Sequence, residues 1–262
     1  ANIVRETLSR AGANEVLTYS FVHENVIKKA GQNSIHAFQL SNAISPDLQY
    51  YRLSLTPSLL GKVHMNIKAG FDRFAIFELN KVHYKGEMDP DEPEVPNEDN
   101  HIGLVIADSK QKSEGSPYFL ARKYLEQIMN IRAVSLVPLT DFDLATDEWG
   151  QQLTAPYEPK RSAVVVKEGQ IWGVVGEYKV SVKKAFKLPD FVAGFEVHRD
   201  VLIELDSSYK PLSKYPSTER DICFQVESDV TYQQIIEVVT SVLGASELEA
   251  SILPVDIYQP DG

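Results

Sequence analysis

In this 262-residue sequence, the side chains that could carry chemistry are six histidines, one cysteine and one short basic stretch. His23, His36, His64, His83, His101 and His198 show no His-x-His or His-Glu-x-x-His spacing. No metal pair is therefore written into a single segment, and each is expected at the surface or in a satisfied core position. Cys223 stands alone, which rules out an intrachain disulfide or a multi-cysteine zinc site. It occupies an apolar position in DICFQVE, a segment that reads as a strand, so an inert buried thiol is expected. There is no Gly-x-Ser-x-Gly elbow and no phosphate-binding glycine loop. The basic stretch holds Lys210, Lys214 and Arg220, with Tyr209 and Tyr215 between them. Lysine and arginine neutralise phosphates, and tyrosines stack on unpaired bases, so this is a candidate RNA contact. The alternative is a solvated interdomain linker in which Arg220 pairs with Glu219, Asp221 or another domain.

Bulk properties narrow the setting of these residues. Hydrophobic residues make up 43% and charged residues 24%, an ordinary soluble globular composition. The net charge of -11 argues against a protein that grips nucleic acid with its whole surface, though not against a local basic patch. Part of the acid excess lies in GEMDPDEPEVPNEDN (Gly86 to Asn100), whose prolines break any calcium-loop spacing, and it reads as a solvated loop. No apolar run reaches bilayer length, and the opening ANIVRETLSRAG lacks the basic and apolar regions of a secretory signal. A reducing cytosol fits a single cysteine. The chain begins with Ala and stops after a Gln-Pro-Asp turn signal, so both ends read as cut from something longer.

The elements that must position these residues follow from periodicity. Ile3, Val4, Thr7, Leu8 and Ala11 share a helical face, with Gly12 as the stop. EVLTYSFV (Glu15 to Val22) reads as a strand, HENVIKKAG as a helix and AFQL as a short strand. Leu59, Leu60, Val63 and Ile67 define a helix over Thr56 to Ala69, with Pro57 in its first turn. FDRFAIFELN and KVHYKG read as a hairpin turning near Asn80, and HIGLVIAD as a buried strand. A helix is expected over Tyr118 to Met129. Strands follow at Val134 to Pro138, Ser162 to Lys167 and Ile171 to Tyr178, the last two joined at Glu168-Gly169. A short helix at VSVKKAFKL and a strand opening FVAGFEVHRDVLIEL complete the first part. Beyond the Ser-, Pro- and Lys-rich stretch lie DICFQVE, a helix over Tyr232 to Leu243 and ELEASILPVDIY, the first half of a split β-α-β unit.

Four segments, in this order, resemble the β chain of bacterial-type phenylalanine–tRNA ligase. They are Glu15 to Phe21; LSNAISPDLQYYRLSLTPSLL (Leu40 to Leu60); FDRFAIFELNKVH; and KPLSKYPSTERDICFQVESDVTYQQI. The last is similar to the Pro-Ser-x-x-Arg-Asp-Ile opening of the family's anticodon-binding domain. The resemblance implies an α+β fold: an antiparallel sheet flanked by helices, a class II tRNA-ligase-like core without catalytic activity, over residues 1–206. It further implies a linker at 207–218 and a partial ferredoxin-like domain at 219–262. Asn80 stands where the family usually has Gly, and Tyr157 to Ala163 match the family's next loop only approximately.

What the resemblance implies for function is a scaffold. The β subunit holds the catalytic α subunit in an α2β2 heterotetramer in the cytoplasm and contributes to binding tRNA(Phe). ATP and magnesium serve the complete enzyme, and none is expected on this chain. A class II site needs one arginine for the ATP α-phosphate and a second, in a Gly-rich motif, for the γ-phosphate. Arg52 stands where such a core carries an arginine, but no later Gly-x-Gly-x-Arg exists. Arg52 is therefore expected as a structural or subunit-interface residue, and no residue as catalytic. Lys210, Lys214, Tyr215 and Arg220 are the expected RNA contacts. The competing readings are a self-sufficient aminoacylating enzyme and a protein-interaction domain that shares the fold without an RNA role.

Overall fold

A computed structural model describes residues 2–45, 47–110, 116–129, 134–202, 218–227, 229–244 and 251–256. The chain divides into two compact units, Ala1–Leu205 with Val255–Gly262, and Asp206–Pro254.

The first unit is built on a seven-stranded sheet. In chain order its strands are β1 (Ala13–Glu15), β4 (Arg73–Val82), β5 (Asp99–Asp108), β6 (Ser135–Pro138), β7 (Tyr157–Lys167), β8 (Gln170–Tyr178) and β9 (Phe191–His198). Across the sheet they run β1-β4-β5-β9-β8-β7-β6. All neighbours are antiparallel except β1 and β4, which are parallel. A small ribbon pairs β2 (Phe21–Val22) with β3 (Tyr50–Tyr51).

Alternation assigns the two faces. On β5, Ile102, Leu104 and Ile106 join one core with Phe77, Phe195 and Val197, under α1 (Asn2–Arg10) and α4 (Pro117–Ile128). Val105 and Ala107 point the other way with Ile76, Val164, Val174 and Val192. That second core is covered by α2 (Glu24–Lys29), α3 (Thr56–Lys68) and α6 (Val180–Phe186). Leu153 of the short α5 (Glu148–Thr154) also belongs to it. The sheet is thus sandwiched between two helical layers, which is why its central strands are apolar on both faces. Glu168 and Gly169, both at positive φ, make the tight β7–β8 turn. Among the described residues, no helix is long and apolar enough to cross a membrane.

Several expectations need correction. Residues 73–82 form one uninterrupted strand with Asn80 opposite His101, so no hairpin turns at Asn80 and its φ is not positive. The Asn80 amide satisfies itself locally, donating to Glu78 at 2.8 Å and accepting from the Lys81 N–H at 2.8 Å. The strand expected from Glu15 to Val22 is interrupted, because Thr18 donates to the Glu78 carboxylate instead of joining a ladder. AFQL contributes only an isolated bridge, Gln39 to Tyr50. Helix α5, capped by Asp147, was not foreseen from the sequence.

In the second unit, α7 (Tyr232–Gly244) forms as expected. Residues 221–227 are in no strand, and Ile222, Phe224 and Val226 remain exposed. Cys223 is exposed as well, not buried, because among the described residues no ladder or core closes over the segment. The described part of ELEASILPVDIY, residues 251–254 of this unit and 255–256 of the first, is likewise in no strand.

Candidate functional site

The polar chemistry of the first unit converges on the segment that leads from β3 into α3, residues 50–56. Two buried networks grip it from either side.

The first surrounds Arg52, which is 1% exposed, and Glu78 of β4, which is 0% exposed. The Arg52 guanidinium donates through Nη1 to Thr18 Oγ1 at 2.8 Å and Glu78 Oε1 at 3.2 Å, and through Nε to the Lys81 carbonyl at 3.0 Å. The Glu78 carboxylate also accepts the Thr18 backbone N–H at 3.1 Å and the Thr18 hydroxyl at 2.6 Å. Backbone bonds fix the same crossing: Arg52 donates its N–H to Ser20, and its carbonyl accepts from His83. Between the networks, Gln32 donates to the Ser54 hydroxyl and to the Gln152 carbonyl, both at 2.8 Å.

The second network surrounds Glu196 of β9. Its oxygens accept the backbone N–H groups of Leu55 and Thr56, each at 2.8 Å, and the Thr56 hydroxyl at 2.7 Å. These groups sit at the start of α3, whose own N-cap residue, Leu55, supplies no capping side chain. Glu196 thus caps the helix from across the sheet, and its charge complements the helix dipole. His101 Nδ1 lies 2.7 Å from Glu196 Oε1. Register explains the meeting: His101 faces His198 and Gly103 faces Glu196 across the β5–β9 pair, so His101 and Glu196 are diagonal neighbours on one face. Gly103 leaves room for this approach: a Cβ there would stand 3.0 Å from both Leu55 Cβ and Leu59 Cδ1, and those side chains would have to give way.

Electrostatics fixes the proton positions. Burial pushes the Glu196 pKa up, but the His101 hydrogen bond and charge, with the Thr56 and Leu55 donors, outweigh it and hold the carboxyl below its usual range. An ionised Glu196 can only accept, so His101 Nδ1 carries the proton between them. Thr56 gives its own proton to Glu196, so the Tyr157 hydroxyl, 3.1 Å away, must donate to Thr56. Burial, followed by the Glu196 charge, keeps the Tyr157 pKa raised and the phenol protonated.

This arrangement holds a chain crossing in place; it does not present charge to a ligand. Arg52, Glu78, His101, Thr56 and Glu196 are each at most 1% exposed. A phosphate clamp needs a guanidinium facing open space, whereas Arg52 faces Thr18 and Glu78. It also shows no surface to a partner, so any effect of Arg52 on an assembly must run through the segment it anchors. Two surface clefts, of 420 and 490 Å³, are lined by Asp108, Lys110 and Asp190, and by Arg161, Glu177 and Lys183. Neither includes a member of the two networks. Among the described residues, no three His, Cys, Asp or Glu side chains converge as a metal site.

Of the expected RNA contacts, only Arg220 lies among the described residues. Lys210, Lys214 and Tyr215 lie outside the described residues. Arg220 is exposed and donates to the Glu219 carbonyl at 3.4 Å. Conversely, sequence reasoning missed Glu78, Glu196 and the His101 pairing. The partners stand 26 to 141 positions apart, and only strand register shows that they meet.

Two β-subunit relatives are similar to the chain. The phenylalanine–tRNA ligase β subunit of Bacillus licheniformis is 26% identical, over 98% of this chain and 31% of its own length. That of Listeria monocytogenes is 25% identical, over 90% of this chain and 29% of its own. The chain therefore spans about a third of the length of these relatives. In fold it resembles the pyrrolysyl tRNA synthetase of Desulfitobacterium hafniense, with a TM-score of 0.55 at 13% identity, over 77% of this chain and 66% of that one. A Giardia lamblia prolyl-tRNA synthetase gives 0.52 at 10% identity, over 77% of this chain and 43% of that one. Residues 1–198 match the family described as the phenylalanyl tRNA synthetase beta chain CLM domain, and the chain belongs to that family.

Proposed function

We propose that this chain is the non-catalytic core of the β subunit of a two-subunit phenylalanine–tRNA ligase. In this reading it scaffolds the catalytic α subunit within an α2β2 assembly in the cytoplasm and contributes to tRNA(Phe) binding. Residues 1–206 are the scaffold, 207–218 a linker, and 219–262 part of a ferredoxin-like anticodon-binding domain. Lys210, Lys214 and Tyr215 of the linker and Arg220 at the start of that domain contact RNA. ATP and magnesium belong to the α subunit's site, and this chain holds neither.

The observation that carries the reading is the internal use of the sheet's ionisable groups. Arg52 is bonded to Glu78, and His101 to Glu196, with the α3 N-terminus closed by the same carboxylate. Groups paired and buried this way are committed to the chain's own crossing and do not face a reacting group whose developing charge they could stabilise.

ATP–pyrophosphate exchange tests the catalytic half of the proposal. The purified chain with phenylalanine, ATP and pyrophosphate is expected to show no phenylalanine-dependent exchange. Exchange by the chain alone would instead establish the self-sufficient enzyme. Failure to capture a ligase α subunit would favour the interaction domain without a ligase role.

A further inference from the structure

Charge is distributed unequally between the two helical layers, in a way the net acidity hides. In the layer over the second core, beside the short α5 with its exposed Glu148, helices α2, α3 and α6 contact one another pairwise. These helices carry Lys28, Lys29, Lys62, Lys68, Lys183 and Lys184 against a single carboxylate, Glu24. Neither α3 nor α6 contains an acidic residue, in a chain whose net charge is -11. Their buried faces (Leu59, Leu60, Val63, Val182 and Phe186) are turned into the core. Lys28, Lys29, Lys62, Lys68 and Lys184 are exposed. Only Lys28 has an ion-pair partner among the described residues, Glu24 at 2.8 Å. On α1 and α4 of the opposite layer the basic excess is smaller: Arg10 is matched by Glu6, Arg122 by Glu126 and Arg5 by Glu15 of β1, which leaves the exposed Lys123.

Complementing the helix dipoles accounts for Lys28, Lys29, Lys68, Lys183 and Lys184, which lie in last turns. It does not account for Lys62, in the middle of α3, or for the absence of acids from two adjacent helices.

We propose that the outer face of the α2–α3–α6 layer is a docking surface for the phosphate backbone of structured RNA. The identification of that RNA as a tRNA rests on the function proposed above. Charge complementarity favours RNA over an acidic protein. Lysine is depleted at protein–protein interfaces, whereas phosphate recognition relies on it and releases condensed counterions. The face offers no arginine fork for base edges, so it contacts backbone and does not read sequence.

The test uses the 262-residue chain, a fluorescein-labelled tRNA transcript and anisotropy titrations between about 50 and 200 mM salt. The combined variant Lys29→Glu, Lys62→Glu, Lys184→Glu is expected to weaken binding at least tenfold. The dependence of log K on log salt should flatten by about 0.7 to 0.9 for each phosphate no longer neutralised. The control Arg10→Glu, Lys123→Glu, on the opposite layer, is expected to stay within twofold. Equal weakening in both variants, no change in the first, or no RNA binding by the unaltered chain overturns the proposal. Capture of the α subunit is measured on the same samples. If the first variant loses capture but not RNA, the face is a protein interface and the proposal is wrong. If the unaltered chain captures the α subunit without binding RNA, only this proposal falls. If it does neither, the scaffold reading falls with it.

Discussion

The two buried networks flanking residues 50–56 look alike but are held differently. Glu78 receives hydrogen bonds from Arg52, from Thr18 twice and from Asn80, so removing one donor leaves several. Glu196 is the single acceptor for donors that have little else: the Leu55 and Thr56 N–H groups, the Thr56 hydroxyl and His101. One carboxylate is a member of a mesh, the other a hub. A buried hub is the more fragile design, because its loss orphans every donor at once.

Substitutions should separate the two. Glu196→Ala is expected to show the largest effect, about 3–5 kcal/mol in urea unfolding, by stranding His101 and uncapping α3. Arg52→Ala should cost less, about 2–3 kcal/mol, since Glu78 keeps the Thr18 and Asn80 donors. Similar losses for the two would erase the distinction between hub and mesh. Gly103→Ala is expected to cost about 1–3 kcal/mol by crowding Leu55 and Leu59, read from the same unfolding curves. Thr18→Val should cost about 1–2 kcal/mol, the smallest effect, by removing only the hydroxyl's bonds.

Acid should act on the hub in a defined direction. The folded-state pKa of Glu196 is held below its unfolded value, so its stabilisation is fully present above the unfolded carboxylate range. It is lost as pH falls through the folded value. His83 and His198, whose pKa values are lowered chiefly by burial, act in the same sense at higher pH. Below about 6.5 the unfolded chain takes up those protons more readily, so stability falls as the pH is lowered. Melting temperature is expected to decline from about pH 7.5 to about pH 4, and Glu196→Gln should flatten the acid end. An unchanged acid limb in that variant would remove Glu196 from the account.

Where one local pattern dominated, the fold was legible in the sequence. The apolar stripe with Pro57 in its first turn marks α3, and the β-branched run of HIGLVIAD marks a strand buried on both faces. Glu168-Gly169 marks the β7–β8 turn. Where a distant side chain overrules local preference, it was not. Thr18 sits in a β-branched and aromatic run, yet Glu78 sixty positions away pulls its backbone out of the strand. Asn80 looked like a turn residue, but pairing with His101 keeps it extended. Residues 221–227 have strand composition, and composition without a neighbouring strand leaves them unpaired among the described residues. The site was the least visible part, since nothing about Glu196 alone says that α3 begins above it.

The central claim is that this chain is a framework that carries a catalytic partner. Size-exclusion chromatography of the chain mixed with a phenylalanine–tRNA ligase α subunit tests it most directly. The account predicts a co-migrating complex that Glu196→Ala weakens along with the fold. Separate elution of the two well-folded proteins at micromolar concentration would contradict it.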